Sequence, residues 1–427
     1  MINEGGGLEG LAMRSSAAAI GTTATTPACS ISATRIRTTR TTTSASADPK
    51  ISRLHVEHAH GKPIFGRPAP GVIPKARRIA KPETAAGLTS AAAECGRAAP
   101  ASFKSLTSLS SLFGFWMQAK KNKSKSLRVQ RFGDDPLRHL VTIHDRLRAR
   151  EFVFGPYKTF TVREKKFRHV VDAPMKDRVV HWMLYEYMLP IWERRFIADT
   201  FGNLPGRGTH AAVRRLAEFA RGAGAKWVLQ LDISKYFYSV NHSLLKGTIL
   251  RYIGDQDIRA LLVDLVDSFR TGAEYDHLFA PDTMFRRTRD KGMPIGSLTS
   301  QLFANIFLCA FDHWVKETLR IKLYLRYVDD LTFLAETKEE LLTISAAVVE
   351  YLAAIGLTIH PFKIRLAPVA AGVPYLGYVV WPNHVSVGAY GRRRHHQRLR
   401  QHEVGGYDRS EALTSYKAMF SHTGWSA

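Results

Sequence analysis

From Leu137 onward, apolar residues recur at helical spacing through "LRHLVTIHDRLRAREF", and the next stretch, "YKTFTVREKKFRHVV", alternates apolar and polar positions as a strand or hairpin does. The stretch "DRVVHWMLYEYMLPIWERRF" predicts a long amphipathic helix with Asp177 near its start. In "KWVLQLDISKYFYSV" a short apolar strand ends on Asp232, and helical structure resumes at "LLKGTILRYI". A Gly/Ser/Thr loop opens "PIGSLTSQLFANIFLCAFDHWVKETL" ahead of an uninterrupted helical pattern. The segment "LYLRYVDDLTFLA" predicts two short strands, and "KEELLTISAAVVEYLAAIG" a helix closed by Gly356. The pattern is α+β, with strands separated by helices and acidic residues at strand ends.

Before about Leu112 no such period is sustained. Stretches such as "SSAAAIGTTATTPACSISATRIRTTRTTTSASA" carry few aromatics and few acids, which predicts a mostly disordered extension. Three origins fit it: a disordered tail, sequence read from a start codon placed too early, or a targeting peptide, against which Glu4 and Glu9 stand. A basic segment, "MQAKKNKSKSLRVQRF", then opens the ordered part, either as a solvated face or as a grip on a phosphate backbone.

Charge narrows the partner. The chain has 61 Lys plus Arg against 37 Asp plus Glu, a formal charge of +24 over 427 residues, which favours a polyanion. Nucleic acid fits better than an anionic membrane, since no apolar run is long enough to span a bilayer. Cys29, Cys95 and Cys309 have no paired spacing, so neither a disulfide framework nor a cysteine zinc site is expected, and the default compartment is reducing and cytoplasmic.

Asp329 and Asp330 interrupt the apolar run of "LYLRYVDDLTFLA". One reading makes them the turn of a hairpin, where Asp is common. Against it, a turn needs one such residue, and no Gly comes after them. Two adjacent carboxylates beside a core repel unless a cation neutralises them, and hard oxygen ligands select Mg²⁺ or Mn²⁺. Asp232, at the end of "VLQLD", would supply the third carboxylate of a two-metal site.

The segments "LQLDISKYFYSVNH", "GMPIGSLTSQLFANIFL", "LRYVDDLTF", "GLTIHPFKIRL" and "VPYLGYVV", in this order, resemble the successive palm motifs of a reverse transcriptase, and most of all those of diversity-generating retroelements. Upstream, "REKKFRHVVDAPMKDRVVHWML" and "GRGTHAAVRRLAEFA" are similar to that family's finger segments. The resemblance implies a right-hand polymerase of fingers, palm and thumb. Residues 1–112 would form the extension, 113–228 the N-terminal and fingers region, 229–380 the palm and 381–427 a short basic thumb. It implies two Mg²⁺ ions on Asp232, Asp329 and Asp330, with Mn²⁺ as substitute, and deoxynucleoside triphosphates, a template RNA, a cDNA or RNA primer and a small basic accessory variability protein as partners, in a bacterial or phage-encoded context.

Further roles come from the resemblance together with residue chemistry. Phe237, five residues after Asp232, would stack under the incoming sugar and exclude a 2′-hydroxyl; the plainer alternative is core packing within "KYFYSV". Arg168, with Lys166 near it, would clamp the triphosphate, Arg bidentately, or the two would sit on a solvated basic edge strand, the reading expected for Lys165. Lys363 resembles the lysine that approaches the leaving pyrophosphate, or else lies on the surface. Tyr375, Leu376, Gly377 and Tyr378 resemble the primer grip, or form a simple hairpin. Ile295, Gly296, Ser300 and Gln301 stand where many reverse transcriptases have a Q-G-x-x-x-S-P frame, and this I-G-x-x-x-S-Q form marks the diversity-generating group. Gly296 would let backbone approach the base pair, while Ile295 either removes a polar contact near the nucleotide or fills a gap between fingers and palm. The tail "GRRRHHQRLRQHEV" predicts a basic helix. A retron or intron lineage of ordinary fidelity, or an idle nucleic-acid-binding remnant, are the alternatives; the three aspartates speak against the last.

Overall fold

A computed structural model describes residues 102–163, 167–272, 275 and 290–404, with positions 414, 421 and 423 beyond them. Lys166 lies outside the described residues, as do almost all of the residues before position 112 and the side chain of Arg168.

Order begins before the change in composition at Leu112. Helices α1 (Phe103–Leu106) and α2 (Leu109–Lys120) are each capped by a serine, Ser102 and Ser108, whose hydroxyl accepts an amide of the first turn. Leu112, Trp116 and Ala119, spaced at helical intervals, are buried in the main core. Next come α3 (Leu127–Asp134) and α4 (Pro136–Ala149), the latter started by Asp135 as cap and Pro136 in the first turn. The predicted hairpin is β1 (Lys158–Arg163) against β2 (Phe167–Asp172), antiparallel with Val162 opposite Arg168. The long helix α5 (Met175–Glu193) is buried nearly all round, packed against α2 and against the helix Leu298–Phe307.

A five-stranded sheet carries the chemistry. Its strands are β3 (Thr200–Phe201), β4 (Trp227–Asp232), β5 (Tyr324–Tyr327), β6 (Asp330–Ala335) and β7 (Arg365–Pro368), in the order β3-β5-β6-β4-β7. Helix α6 (Thr209–Arg221) precedes β4. The one-turn α7 (Tyr236–Ser239), α8 (His242–Leu250) and α9 (Gln256–Asp267) come after it. Then come α10 (Leu298–Phe307), α11 (Cys309–His313) and a π turn over Trp314–Thr318, so the helical pattern predicted as uninterrupted is broken at Leu308. Helix α12 (Lys338–Ala354) lies against β4 and β6.

Side chains alternate across this sheet. Leu229, Leu231 and Ile233 of β4 and its extension, with Leu331, Phe333 and Ala335 of β6, face the main helical core. Val228, Leu325 and Leu334 face the other way, onto Ala212, Val213 and Leu216 of α6. There a second sheet joins them: β8 (Val373–Tyr375), β9 (Tyr378–Val380) and β10 (Val385–Val387), in the order β10-β9-β8. The two-residue turn Leu376-Gly377, with φ of +48° and +91°, closes the β8–β9 hairpin. Beyond it, α13 (Ala389–Val404) is the basic helix predicted from "GRRRHHQRLRQHEV". Among the described residues no helix is long and apolar enough to cross a membrane.

Candidate active site

Strand register brings two of the predicted aspartates together. Asp232 closes β4, Asp330 opens β6, and they are directly paired, so both project from the sheet face opposite the helical core. Their carboxyls are close enough to share a proton. Burial, reinforced by the charges of Asp329 and Asp232, raises Asp330 to about 7, with Lys363 acting in the opposite sense. Lys363 Nζ donates to Asp232 Oδ2 at 2.6 Å. The lysine expected near the pyrophosphate is therefore at the carboxylates, where it offsets part of their charge. Asp329 sits between strands; its carbonyl accepts Ile233 N–H at 3.1 Å, tying the turn to the residue after Asp232.

Among the described residues no group of three or more His, Cys, Asp or Glu is gathered at metal-ligand spacing. The facing pair nonetheless fits a hard divalent cation in donor type and charge: its donors are carboxylate oxygens, and the two are cross-strand neighbours in register. Asp329 adds its charge from the adjoining turn.

The turn itself is strained. Val328 has φ +56°, a conformation that costs a β-branched residue about 1–3 kcal/mol and persists only where its surroundings enforce it. Gly202 makes room beside it, since a Cβ there would lie 2.6 Å from Val328 Cγ2. Behind the turn, on the core side of β5, Arg326 and Asp312 are fully buried and paired at 2.6 Å. Sequence motifs do not single out this pair. Its one signal is an arginine at a position of "LYLRY" that alternation turns into the core.

The other expected residues lie at varying distance from the carboxylates. Phe237 is half-buried in α7, its carbonyl accepting Met293 N–H at 2.7 Å, and it packs edge-on to Tyr236. Ile295 is pinned to the β1–β2 hairpin through its carbonyl, which accepts Val171 N–H at 2.8 Å. Gly296 comes next at φ +107°, where a Cβ would meet Val170 Cγ1 and the Val171 carbonyl at 3.0 Å, so close approach of two backbones requires glycine there. Gln301 lines a cavity of about 420 Å³ with Lys123, Arg178, His181 and Trp182. Tyr375 and Tyr378 pair across the β8–β9 turn; burial holds the Tyr375 phenol well above its ordinary value, with Asp330 contributing.

His181, which no sequence motif marks, has its Nδ1 within 3.0 Å of the Ser297 hydroxyl, while its Nε2 is buried with no hydrogen-bond partner. Burial, reinforced by Arg178, depresses the imidazole from 6.5 to about 3. The unfolded chain takes up this proton as pH falls below about 6.5 and the folded chain refuses it, so the histidine lowers stability progressively in that range. Between pH 7 and pH 5 the wild-type chain should lose about 2 kcal/mol more than His181→Gln, read from denaturant unfolding at the two pH values.

A family described as reverse transcriptase (RNA-dependent DNA polymerase) matches residues 156–380, more than half of the chain, with both aspartate-bearing strands inside the match. The chain belongs to this reverse transcriptase family. Reverse transcriptase domains use divalent metal ions, in keeping with the carboxylate pair. Protein YkfC of Escherichia coli K12 is 30% identical over 155 residues, covering 36% of this chain and 38% of that protein. The uncharacterized 91 kDa protein in cob intron of Schizosaccharomyces pombe is 26% identical over 172 residues, covering 40% of this chain and 20% of its own length. Nuclear intron maturase 1, mitochondrial, of Arabidopsis thaliana is 26% identical over 100 residues, 23% of this chain and 14% of the maturase. These matches thus span well under half of each relative. Among solved structures, apo telomerase from Candida tropicalis truncated from its C-terminal domain is similar over 54% of each chain, at 12% identity and TM-score 0.41. The mixed helix-and-sheet architecture with its reverse transcriptase domain is a right-hand polymerase fold, as expected.

Proposed function

We propose that the protein is an RNA-directed DNA polymerase that extends a primer by copying an RNA template. The observation that carries this reading is the direct cross-strand pairing of Asp232 with Asp330 within a domain of the reverse transcriptase family. In the reaction the primer's 3′-oxygen bonds to the α-phosphorus of a deoxynucleoside triphosphate, the bond to the bridging oxygen breaks, and pyrophosphate leaves. Asp232, Asp329 and Asp330 would hold the two divalent ions, Mg²⁺ first and Mn²⁺ as substitute. Bound there, these ions supply the charge that lowers the pKa of the 3′-hydroxyl and stabilises the transferring phosphate.

The chain's own residues do the positioning. Phe237, in the one-turn helix five residues after Asp232, would bound the sugar site, and Gly296 lets the Ile295–Gly296 backbone lie close to the β1–β2 hairpin. Lys363, bonded to Asp232, would offset that carboxylate's charge before substrate arrives and then meet the negative charge of the leaving pyrophosphate. Lys166 and Arg168 of the fingers would bind the triphosphate, and Tyr375 to Tyr378 the primer end. The basic α13 would track the template-primer backbone in a cytoplasmic setting.

The finer assignment is to a diversity-generating retroelement, supported by the I-G-x-x-x-S-Q form at Ile295, Gly296, Ser300 and Gln301. On that reading the cDNA carries errors concentrated at template adenines, is made with an accessory variability protein, and diversifies a target gene. A second reading, an intron-type reverse transcriptase of ordinary fidelity, draws on the names of the relatives, two of which refer to introns. Sequencing of cDNA separates them. Adenine-directed errors that fall severalfold in Ile295→Gln, by about 1 kcal/mol of restored discrimination, are the expected result. Errors spread evenly over the four template bases would remove the diversity-generating assignment and leave the polymerase standing.

A further inference from the structure

The guanidinium of Arg326 uses all five of its N–H groups inside the core. Nε and one Nη2 hydrogen go to the Asp312 carboxylate at 2.8 and 2.6 Å, and the other Nη2 hydrogen to the Asn305 carbonyl at 3.4 Å. Nη1 donates to Asn305 Oδ1 at 3.0 Å and to the backbone carbonyl of Val328 at 2.8 Å. The last contact reaches the residue that holds the left-handed turn before Asp329 and Asp330.

Other sides of that turn are also held. Val328 N–H donates to the Phe201 carbonyl at 3.1 Å, its side chain abuts Gly202, and Asn305 Nδ2 donates to the Gly202 carbonyl at 2.8 Å. Asp312 is fixed from behind by the Tyr324 hydroxyl at 2.7 Å and the Thr200 hydroxyl at 2.8 Å. Helices α10 and α11, through Asn305 and Asp312, thus grip the strained turn by way of one side chain.

We propose that Arg326 is a positioning residue, whose guanidinium, anchored on Asp312 and Asn305, holds the Val328 turn and so sets Asp329 and Asp330 against Asp232. The inference rests on the polymerase reading and deepens it. A fork geometry is required, because one group must meet a carboxylate, an amide oxygen and a backbone carbonyl at once. Lysine keeps the charge for Asp312 but has three donors on a point charge, so it cannot span the same set.

Arg326→Lys tests this, with Gly202→Ala as a second variant that disturbs the turn from the opposite side and leaves the Arg326–Asp312 pair intact. Three quantities are read: thermal unfolding, Mn²⁺ affinity without turnover, and kcat against KM for primer-template. The expected result for folded variant protein is an unchanged KM for primer-template, kcat lower by about 10²-fold and Mn²⁺ bound about tenfold more weakly. A folded Arg326→Lys with wild-type kcat and Mn²⁺ affinity overturns the proposal; if that variant does not fold, wild-type values in Gly202→Ala overturn it. Failure of the polymerase reading is distinguishable, since a wild-type chain that copies no RNA would sink that reading while the Mn²⁺ comparison still decides the positioning role.

Discussion

Replacing Asp232 or Asp329 by Asn should lower RNA-templated DNA synthesis by roughly 10³-fold, with little change in the thermal midpoint. The amide is nearly isosteric with the carboxylate but carries no charge and binds a hard cation poorly, and the loss of several kcal/mol of transition-state stabilisation corresponds to that factor. Stability should hold because the cluster is a net electrostatic cost to the fold: burial and the neighbouring carboxylates raise Asp330 to about 7 against a single Lys363 ammonium. Removing one negative charge relieves that repulsion. The measurement is single-nucleotide primer extension at saturating Mg²⁺ beside a melting curve. Near-normal rates in either variant would contradict the metal-ligand assignment.

Phe237→Ala should raise ribonucleotide incorporation relative to deoxynucleotide by about 10-fold to 200-fold, the range that a change of shape in an apolar pocket commands. The ring lies in a one-turn helix held at both flanks. Tyr236 hydroxyl donates to the Ala304 carbonyl at 2.6 Å, and the Phe237 carbonyl accepts Met293 N–H at 2.7 Å. Truncation therefore opens space at the ring while the backbone beside Asp232 stays in place. The ratio of specificity constants for matched dNTP and rNTP reads the effect. An unchanged ratio would mean that the ring serves the core alone.

Alternation and helical spacing are local, and they made much of this fold legible in the sequence. The hairpin around Asp329 and Asp330, the strand ending on Asp232 and the helix through Lys338–Ala354 all come from patterns within about twenty residues. Helices α1 and α2 were hidden by the low-complexity run before them, although Leu112, Trp116 and Ala119 carry the helical spacing. The Arg326–Asp312 pair was illegible for a different reason. A charged residue in sequence is ordinarily a surface residue, and only the fold brings a helix-borne aspartate and an amide from a third element to an arginine on the buried face of β5. Likewise the neutral state of His181 depends on burial created by Phe154, Ser297 and the α5 surroundings. Motifs marked the aspartates; the residues that hold their turn are distributed along the chain.

RNA-directed DNA synthesis is read by giving the purified 427-residue chain an RNA template with an annealed DNA primer, Mg²⁺ and either deoxynucleoside or ribonucleoside triphosphates. The expected result is template-length extension with deoxynucleotides that resists alkali, little extension with ribonucleotides, and roughly 10³-fold less in Asp232→Asn. Extension that is as efficient with ribonucleotides, or that persists undiminished in Asp232→Asn, would contradict it.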